Sequence, residues 1–176
     1  IKNGINPTRT SRHTEEVDKS ISMTDTIKLS LVNNKKWLTR TIEGYSDECS
    51  YVYKALTELA VRPGTSKSAR RIDVAVIEDI TNSTIAGDHD ITVHGIEIKI
   101  SKGDLLHDTK MQEYADYCDY FWLAIPEELV DDAIDYVLDD WGILVYHRNK
   151  DGSGELQCFQ KPKKLNATMR EFALVE

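Results

Sequence analysis

The sequence GIEIKIS, residues 95–101, alternates polar and apolar side chains in the way that a β-strand requires. Because successive side chains of a strand point to opposite faces, the three isoleucines are predicted on one face, and Glu97, Lys99 and Ser101 on the other. Glu97 and Lys99 would then lie about 7 Å apart along the strand. At that spacing a metal ion and a reacting phosphate could be held between the carboxylate and the ammonium.

A second strand pattern, RIDVAVI at residues 71–77, supplies one more carboxylate, that of Asp73. If the two strands pair in register, Asp73 joins Glu97 and Lys99 on one surface of the sheet. An aspartate on one strand followed by Glu-x-Lys on the next is typical of a metal-dependent nuclease core. The alternative is structural: Asp73 could pair with a neighbouring arginine, and Glu97 with the lysine two residues on.

Length and composition indicate one folded domain. The chain has 176 residues, 40% of them hydrophobic and 30% charged, which is enough to bury a core in an ordinary globular protein. The longest apolar run, residues 120–126, is too short to cross a bilayer, and residues 1–26 carry no apolar signal segment. Three widely separated cysteines show neither metal-ligand spacing nor a disulfide framework. A cytoplasmic protein without a membrane partner is therefore expected.

The net charge of −8 argues against a nucleic-acid partner, because phosphate binding depends on lysine and arginine. Its distribution weakens that objection, since residues 127–140 hold seven acidic residues and no basic one. This segment is expected to be an amphipathic cover for the sheet; the alternatives are that it repels DNA or binds a basic partner. Lys67, Arg70 and Arg71, just before the Asp73 strand, are candidate nucleic-acid-binding residues, with a solvated surface as the plain alternative.

The pattern along the chain predicts an α/β sandwich with a mixed central sheet flanked by helices. Helices are predicted over residues 47–62, 104–118 and 127–140, and strands over residues 71–78, 92–101, 120–125 and 143–147. Residues 1–26 look like a loose arm, and residues 27–31 and 37–42 are expected to pack as strand or turn. We divide the chain into an N-terminal arm and leading segment, residues 1–44, and a single domain, residues 45–176.

Five further residues are candidates for a supporting role. Glu48 would share the buried face of the first helix, where a metal would give it a partner, whereas Glu58 would fall to the side. Equally, Glu48 in the first turn could only complement the helix dipole. Ser101 and Asp104 compete as N-cap of the helix that follows the GIEIKIS strand. Lys110 and Tyr114, four residues apart, could lean together toward a phosphate.

Taken in order, these motifs resemble the MmcB-like branch of the PD-(D/E)XK nuclease superfamily, which includes DNA-repair-related proteins and similar phage or mobile-element proteins. The similarity covers about residues 45–147. It rests on RIDV (71–74), GIEIK (95–99), Ser101, Asp104, Asp108-x-Lys110, YADYCD (114–119) and FWLAIP (121–126). The resemblance implies a restriction-endonuclease-like fold with an αβββαβ core, in a bacterial or phage-encoded protein that cleaves phosphodiester bonds with Mg²⁺ or Mn²⁺.

The resemblance also implies site roles: Asp73 and Glu97 would be metal ligands, and Lys99 the catalytic lysine. Since Mg²⁺ prefers oxygen ligands and keeps several waters, two carboxylates and a backbone carbonyl, with Ile98 as the candidate, would suffice. A lysine so close to two carboxylates should stay protonated until metal binds. That favours electrostatic stabilisation over a simple general-base role.

The expected function is therefore metal-dependent hydrolysis of DNA by a deoxyribonuclease. The main competing hypothesis is a binding or regulatory module that keeps the nuclease fold without cutting. The three site residues together favour activity, whereas the acidic balance favours weak intrinsic binding, a protein partner or a homodimer that joins two half-sites. A third hypothesis is an inhibitor that mimics DNA through the acidic segment.

Overall fold

The computed structural model describes residues 21–34, 37–38, 49–61, 70–82, 89–151 and 153–168, with side chains at 49–52, 80–82 and 89–90 excepted. Within these residues the fold is built on a six-stranded mixed sheet whose strands lie side by side in chain order. The first half of the sheet is an antiparallel meander preceded by a helix: α1 Met23–Asn33, β1 Cys49–Val61, β2 Arg70–Asn82 and β3 His89–Ile98.

The second half of the sheet begins with a helical crossover. Two short helices, α2 Lys102–His107 and α3 Met111–Ala115, connect β3 to β4, Tyr120–Pro126, which runs parallel to β3. A 3-10 turn, Glu127–Leu129, and helix α4, Val130–Tyr136, then lead to β5, Gly142–Arg148, parallel to β4. Strand β6, Gly154–Gln160, closes the sheet as an antiparallel edge.

Two hydrophobic clusters cover the two faces of this sheet. On one face α1 buries Ile27 beside Trp37, and both pack against the even-numbered residues of β3 and β4. On the other face α2, α3 and α4 bury Leu105, Met111 and Ala133 against the odd-numbered residues of β4 and β5. The chain is thus an α/β fold with a mixed sheet flanked by helices, as the sequence predicts.

The helix predicted over residues 47–62 is wrong where the structure describes it. Residues 49–61 form β1 and pair along their length with β2. The apolar spacing imitates a helix, but Tyr51, Val52 and Tyr53 are residue types that suit a strand, and β2 satisfies the backbone of β1. Glu48 lies outside the described residues, and the helical face that would have carried it does not exist over residues 49–61.

Other predicted elements differ in their bounds. Residues 27–31, expected as strand or turn, belong to α1, where the N-cap Ser22 accepts a hydrogen bond from the Asp25 N–H at 3.1 Å. The helix predicted over residues 104–118 is broken between α2 and α3, and the one predicted over 127–140 ends at Tyr136.

The four predicted strands are present as β2, β3, β4 and β5, although β3 ends at Ile98 rather than at residue 101, and β6 was not predicted. The predicted boundary between residues 44 and 45 lies outside the described residues and stays a prediction. No helix in the described ranges is long and apolar enough to cross a membrane.

Candidate functional site

The candidate site lies where β2 and β3 separate. Their antiparallel pairing reaches the Val74–Ile96 pair, so Asp73 and Glu97 face each other one residue beyond it. From there β3 stays paired with β4 alone, through the Ile98–Ala124 pair. The sheet therefore opens between its antiparallel and parallel parts, and the two carboxylates occupy the opening.

Each of the two carboxylates accepts a hydrogen bond from the backbone of the other strand. The Ile98 N–H donates to Oδ2 of Asp73 at 2.9 Å, and the Asp73 N–H donates to Oε1 of Glu97 at 3.3 Å. These bonds satisfy peptide groups that have left the strand ladder. They also fix the two side chains toward each other, with Asp73 half-buried and Glu97 only 4% exposed.

The alternation predicted for GIEIKIS holds over residues 96–99, whereas Ile100 is exposed and Ser101 lies beyond the strand, as the N-cap of α2. Ile96 and Ile98 belong to the hydrophobic cluster on the α1 side of the sheet. Glu97 and Lys99 point to the opposite side, where the ammonium of Lys99 lies 3.5 Å from Oε2 of Glu97. Asp73, Glu97 and Lys99 are therefore brought together at the opening of the sheet.

The Lys99 ammonium has a second and closer partner on the helical side. It donates to Oδ2 of Asp108 at 2.6 Å, and Oδ1 of Asp104 lies 3.9 Å away. Asp108 stands at the break between α2 and α3, where its Oδ1 accepts the Lys110 N–H at 2.8 Å. Lys99 is thus held between a strand carboxylate and a carboxylate of the helix break.

Burial and like charge raise the pKa values of the paired carboxylates. Burial, followed by the repulsion of Asp73, raises the pKa of Glu97 to about 8, although Lys99 opposes the shift. Burial also raises the pKa of Asp73 above its ordinary value, against the opposing effects of the Ile98 N–H and Lys99. Burial lowers the pKa of Lys99, but its hydrogen bond to Asp108 and the charge of Glu97 outweigh this, so the net shift is upward. The lysine is therefore a stable cation.

Two residues that sequence reasoning missed, Glu58 and Lys28, complete the charged surroundings of Asp73. Glu58 lies in β1 between the Thr57–Val74 and Leu59–Ile72 pairs, so it stands opposite Asp73. Lys28 reaches it from α1 and forms an ion pair with its carboxylate. Lys28 lowers and Glu58 raises the pKa of Asp73, after the larger effect of burial. If residues 49–61 had been predicted as a strand paired with β2, Glu58 would have been placed opposite Asp73. No local sequence pattern connects Lys28 to the site.

The predicted supporting residues have different positions. Ser101 is the N-cap of α2 and accepts the Asp104 N–H at 3.2 Å, which settles the competition between those two residues. Tyr114 is buried close to the site: burial, then Glu97 and Asp108, raise its pKa to about 12. The Lys110 side chain is exposed.

The candidate nucleic-acid-binding residues are only partly described. Arg70 forms an ion pair with Glu113, with Nε 3.0 Å from Oε2, rather than with Asp73. Arg71 is exposed at the start of β2. Lys67 lies outside the described residues, so its predicted role stays a prediction.

The donor set at the opening suits a cation with few protein ligands. In the described part of the chain, no three His, Cys, Asp or Glu side chains are arranged to hold a metal ion. A cation here would rest on the two carboxylates and a backbone carbonyl, with water and substrate oxygens completing the shell, as Mg²⁺ allows. A buried pair of carboxylates with raised pKa values fits such an ion, because a positive charge would relieve their repulsion.

Comparison with known proteins adds little to this geometry. No family model matches the chain, and no curated protein matches it. Among solved structures, the SPO1766 protein of unknown function from Silicibacter pomeroyi is similar, with 20% sequence identity, a TM-score of 0.41 and 69% of each chain covered.

Proposed function

We propose that this protein is a metal-dependent nuclease that hydrolyses phosphodiester bonds in DNA. The observation that carries the proposal is the pair of opposed carboxylates, half-buried Asp73 and buried Glu97, with the Lys99 ammonium 3.5 Å from that of Glu97. The order of elements also supports it: a helix, three antiparallel strands, a helical crossover and a parallel strand agree with the restriction-endonuclease-like core that the family resemblance implies.

In the proposed reaction Asp73 and Glu97 would hold Mg²⁺ or Mn²⁺, and the backbone carbonyl of Ile98 would be the candidate for a further ligand. When bound, such an ion polarises the phosphoryl oxygen and lowers the pKa of a coordinated water. Hydrolysis joins the oxygen of a water molecule to phosphorus and breaks the bond from phosphorus to the leaving sugar oxygen, and a proton of that water passes through solvent to the leaving oxygen. The products are a phosphate monoester and a free hydroxyl.

Lys99 acts on the phosphate as a cation in this proposal. Its raised pKa keeps it protonated, so it donates hydrogen bonds to a non-bridging oxygen and offsets the charge that develops there. Asp108 positions the ammonium through the 2.6 Å hydrogen bond. On the resemblance, we place the activity in DNA repair or in phage or mobile-element DNA processing.

The competing function is a nucleic-acid-binding or regulatory protein that keeps the fold but does not cut. The observation that favours it is the strong engagement of Lys99 by Asp108 and Glu97, which leaves less positive charge for a phosphate. The net charge of −8 points the same way.

Cleavage assays with a matched lysine control test the proposal. Labelled single-stranded, duplex and branched DNA and RNA are incubated with Mg²⁺, Mn²⁺ or EDTA. We expect metal-dependent cutting of DNA that falls about 100-fold or more in Lys99→Ala. Lys102→Ala is the control, because Lys102 is exposed and pairs with Asp132 outside the site. Circular dichroism checks that both variants fold.

Calorimetry with Mg²⁺ and Mn²⁺ separates the two candidate functions. Binding that is lost in Glu97→Gln supports the metal site. Absence of both cutting and metal binding in the wild-type protein would overturn the nuclease proposal and leave the non-cutting module.

A further inference from the structure

A pocket of about 200 Å³ opens beside the candidate site, between α3 and the segment that leads into β5. Its apolar wall is formed by Met111, Tyr136, Leu138 and Trp141. Trp141 is 3% exposed and packs edge-to-face on Phe121, with ring centroids 4.7 Å apart. The aromatic part of the wall is therefore fixed by the core, which makes this a preformed pocket.

Asp108 joins this pocket to the candidate site. It lines the pocket, while its Oδ2 accepts the hydrogen bond from Lys99. The Tyr136 hydroxyl donates to the backbone carbonyl of Asp108 at 2.9 Å, which ties the far wall to the same residue. A group bound in the pocket would thus lie one side chain away from the ammonium that faces the phosphate.

The size of the pocket suits a ligand that places a single ring inside it. A dry cavity of about 150 Å³ can hold benzene, whereas drug-sized ligands occupy pockets of about 300–1,000 Å³. A volume of about 200 Å³ therefore accommodates one six-membered ring with small substituents.

The charge and polarity of the pocket favour an uncharged heteroaromatic ring. The Asp108 carboxylate in its wall disfavours a phosphate inside the pocket. Thr109 and Gln112 contribute a hydroxyl and an amide, which can both donate to and accept from the edge of a ring. Aromatic side chains beside such polar groups are a common way for proteins to hold an unpaired base.

We infer that this pocket binds the pyrimidine base of the nucleotide whose phosphate lies at Lys99. The inference rests on the proposed nuclease function, which identifies the ligand as a nucleotide. The pocket adds the class of base that this nucleotide carries. A base inside a duplex cannot reach a protein pocket without leaving the stack. The substrate is therefore single-stranded DNA, or duplex that is locally open at the cleaved nucleotide.

Binding of a free nucleoside tests the pocket without metal or phosphate. Thymidine and deoxyadenosine are titrated in EDTA and followed by saturation-transfer NMR. We expect thymidine to bind, with deoxyadenosine about tenfold weaker. Leu138→Phe, which fills the pocket from an exposed position, and Gln112→Leu, which removes the amide, should each weaken thymidine binding about tenfold.

Leu106→Phe is the matched control for this test. Leu106 is 41% exposed, compared with 48% for Leu138, and it lies outside the pocket. Its binding of thymidine should stay within about twofold of the wild-type value. Absence of thymidine binding, or equal binding by wild type and Leu138→Phe, would overturn the inference.

Cleavage of single-stranded DNA distinguishes failure of the pocket from failure of the nuclease. Oligonucleotides carry thymine, adenine or an abasic residue at the cleaved nucleotide. A preference for thymine that Leu138→Phe removes supports the inference. Equal cutting of the three oligonucleotides would overturn the inference about the pocket and would not contradict the nuclease proposal. Thymidine binding without cutting and without metal binding supports the pocket as a nucleoside site and overturns the nuclease proposal.

Discussion

Placing the Asp73 and Glu97 carboxylates close together and out of water lowers the stability of the metal-free protein. Burial raises the pKa values of both groups, because a negative charge is less stable there than in water, and for Glu97 the charge of Asp73 adds to this effect. Their hydrogen bonds from backbone N–H groups and the nearby lysine reduce that cost without removing it. Residues retained at such a cost are characteristic of functional sites rather than of stable packing.

Replacing Glu97 by glutamine should therefore stabilise the protein when no metal is present. The amide oxygen keeps an acceptor for the Asp73 N–H, while the ionisable group is gone. We expect Glu97→Gln to gain about 1 kcal/mol or more in EDTA, a rise of about 2–4 °C in Tm. Differential scanning calorimetry measures the change.

Glu155→Gln, at an exposed position of edge strand β6, is the control and should change stability by less than about 0.5 kcal/mol. In Mg²⁺ the wild-type protein should gain stability while Glu97→Gln does not. A lower Tm for Glu97→Gln in EDTA would contradict the view that this carboxylate is a net cost.

At the scale of elements, β1 shows why one segment was predicted wrongly. Leucine and alanine at helical spacing satisfied the pattern of a helix, whereas the strand depends on pairing with β2, which a local pattern does not contain. Within β1, Glu58 has a φ of 56°, in the left-handed region. A side chain there is strained, and strain of this kind is found at functional sites.

At position 58 we therefore expect glycine to give a more stable protein than alanine, which is the reverse of their usual order of stability in a strand. Both substitutions remove the ion pair with Lys28, so their difference reports the backbone alone. We expect Glu58→Gly to be more stable than Glu58→Ala by about 1 kcal/mol, because only glycine adopts a positive φ without steric cost. Urea denaturation measures the difference.

The same pair of substitutions at Lys54, an exposed position of the same strand, provides the control. There alanine should be more stable than glycine by about 0.5–1 kcal/mol. If the alanine variant were the more stable one at both positions, the backbone at residue 58 would not be strained.

At the scale of the whole molecule, α1 contributes to the core and to the surroundings of the candidate site. Its apolar side buries Ile27 and Leu31 in the cluster that contains Trp37, and Trp37 donates from its indole N–H to the Leu31 carbonyl at 3.1 Å. The same helix carries Lys28 to Glu58 beside Asp73. A segment predicted to belong to the arm and leading segment thus contributes both to the core and to the charge balance of the site.

Truncating a buried leucine of α1 should consequently destabilise the protein. Leu31 is fully buried, and Leu31→Ala should cost about 2–5 kcal/mol in the free energy of unfolding. Leu29→Ala is the control on the same helix, since Leu29 is 49% exposed and should cost less than about 0.5 kcal/mol. Equal, small effects in urea denaturation would show that α1 does not pack on the sheet.

The sequence alone determined the strands around the site and the shared face of Glu97 and Lys99. Side chains of a strand alternate between its two faces, so polar and apolar residues alternate along the sequence with a period of two. The tertiary structure decided what surrounds them. The register between β2 and β3 sets Asp73 against Glu97, β1 brings Glu58 opposite Asp73, and the break between α2 and α3 brings Asp108 to Lys99. These contacts join residues that are far apart in the chain or separated by a helix break, so a local periodic pattern in the sequence cannot predict them.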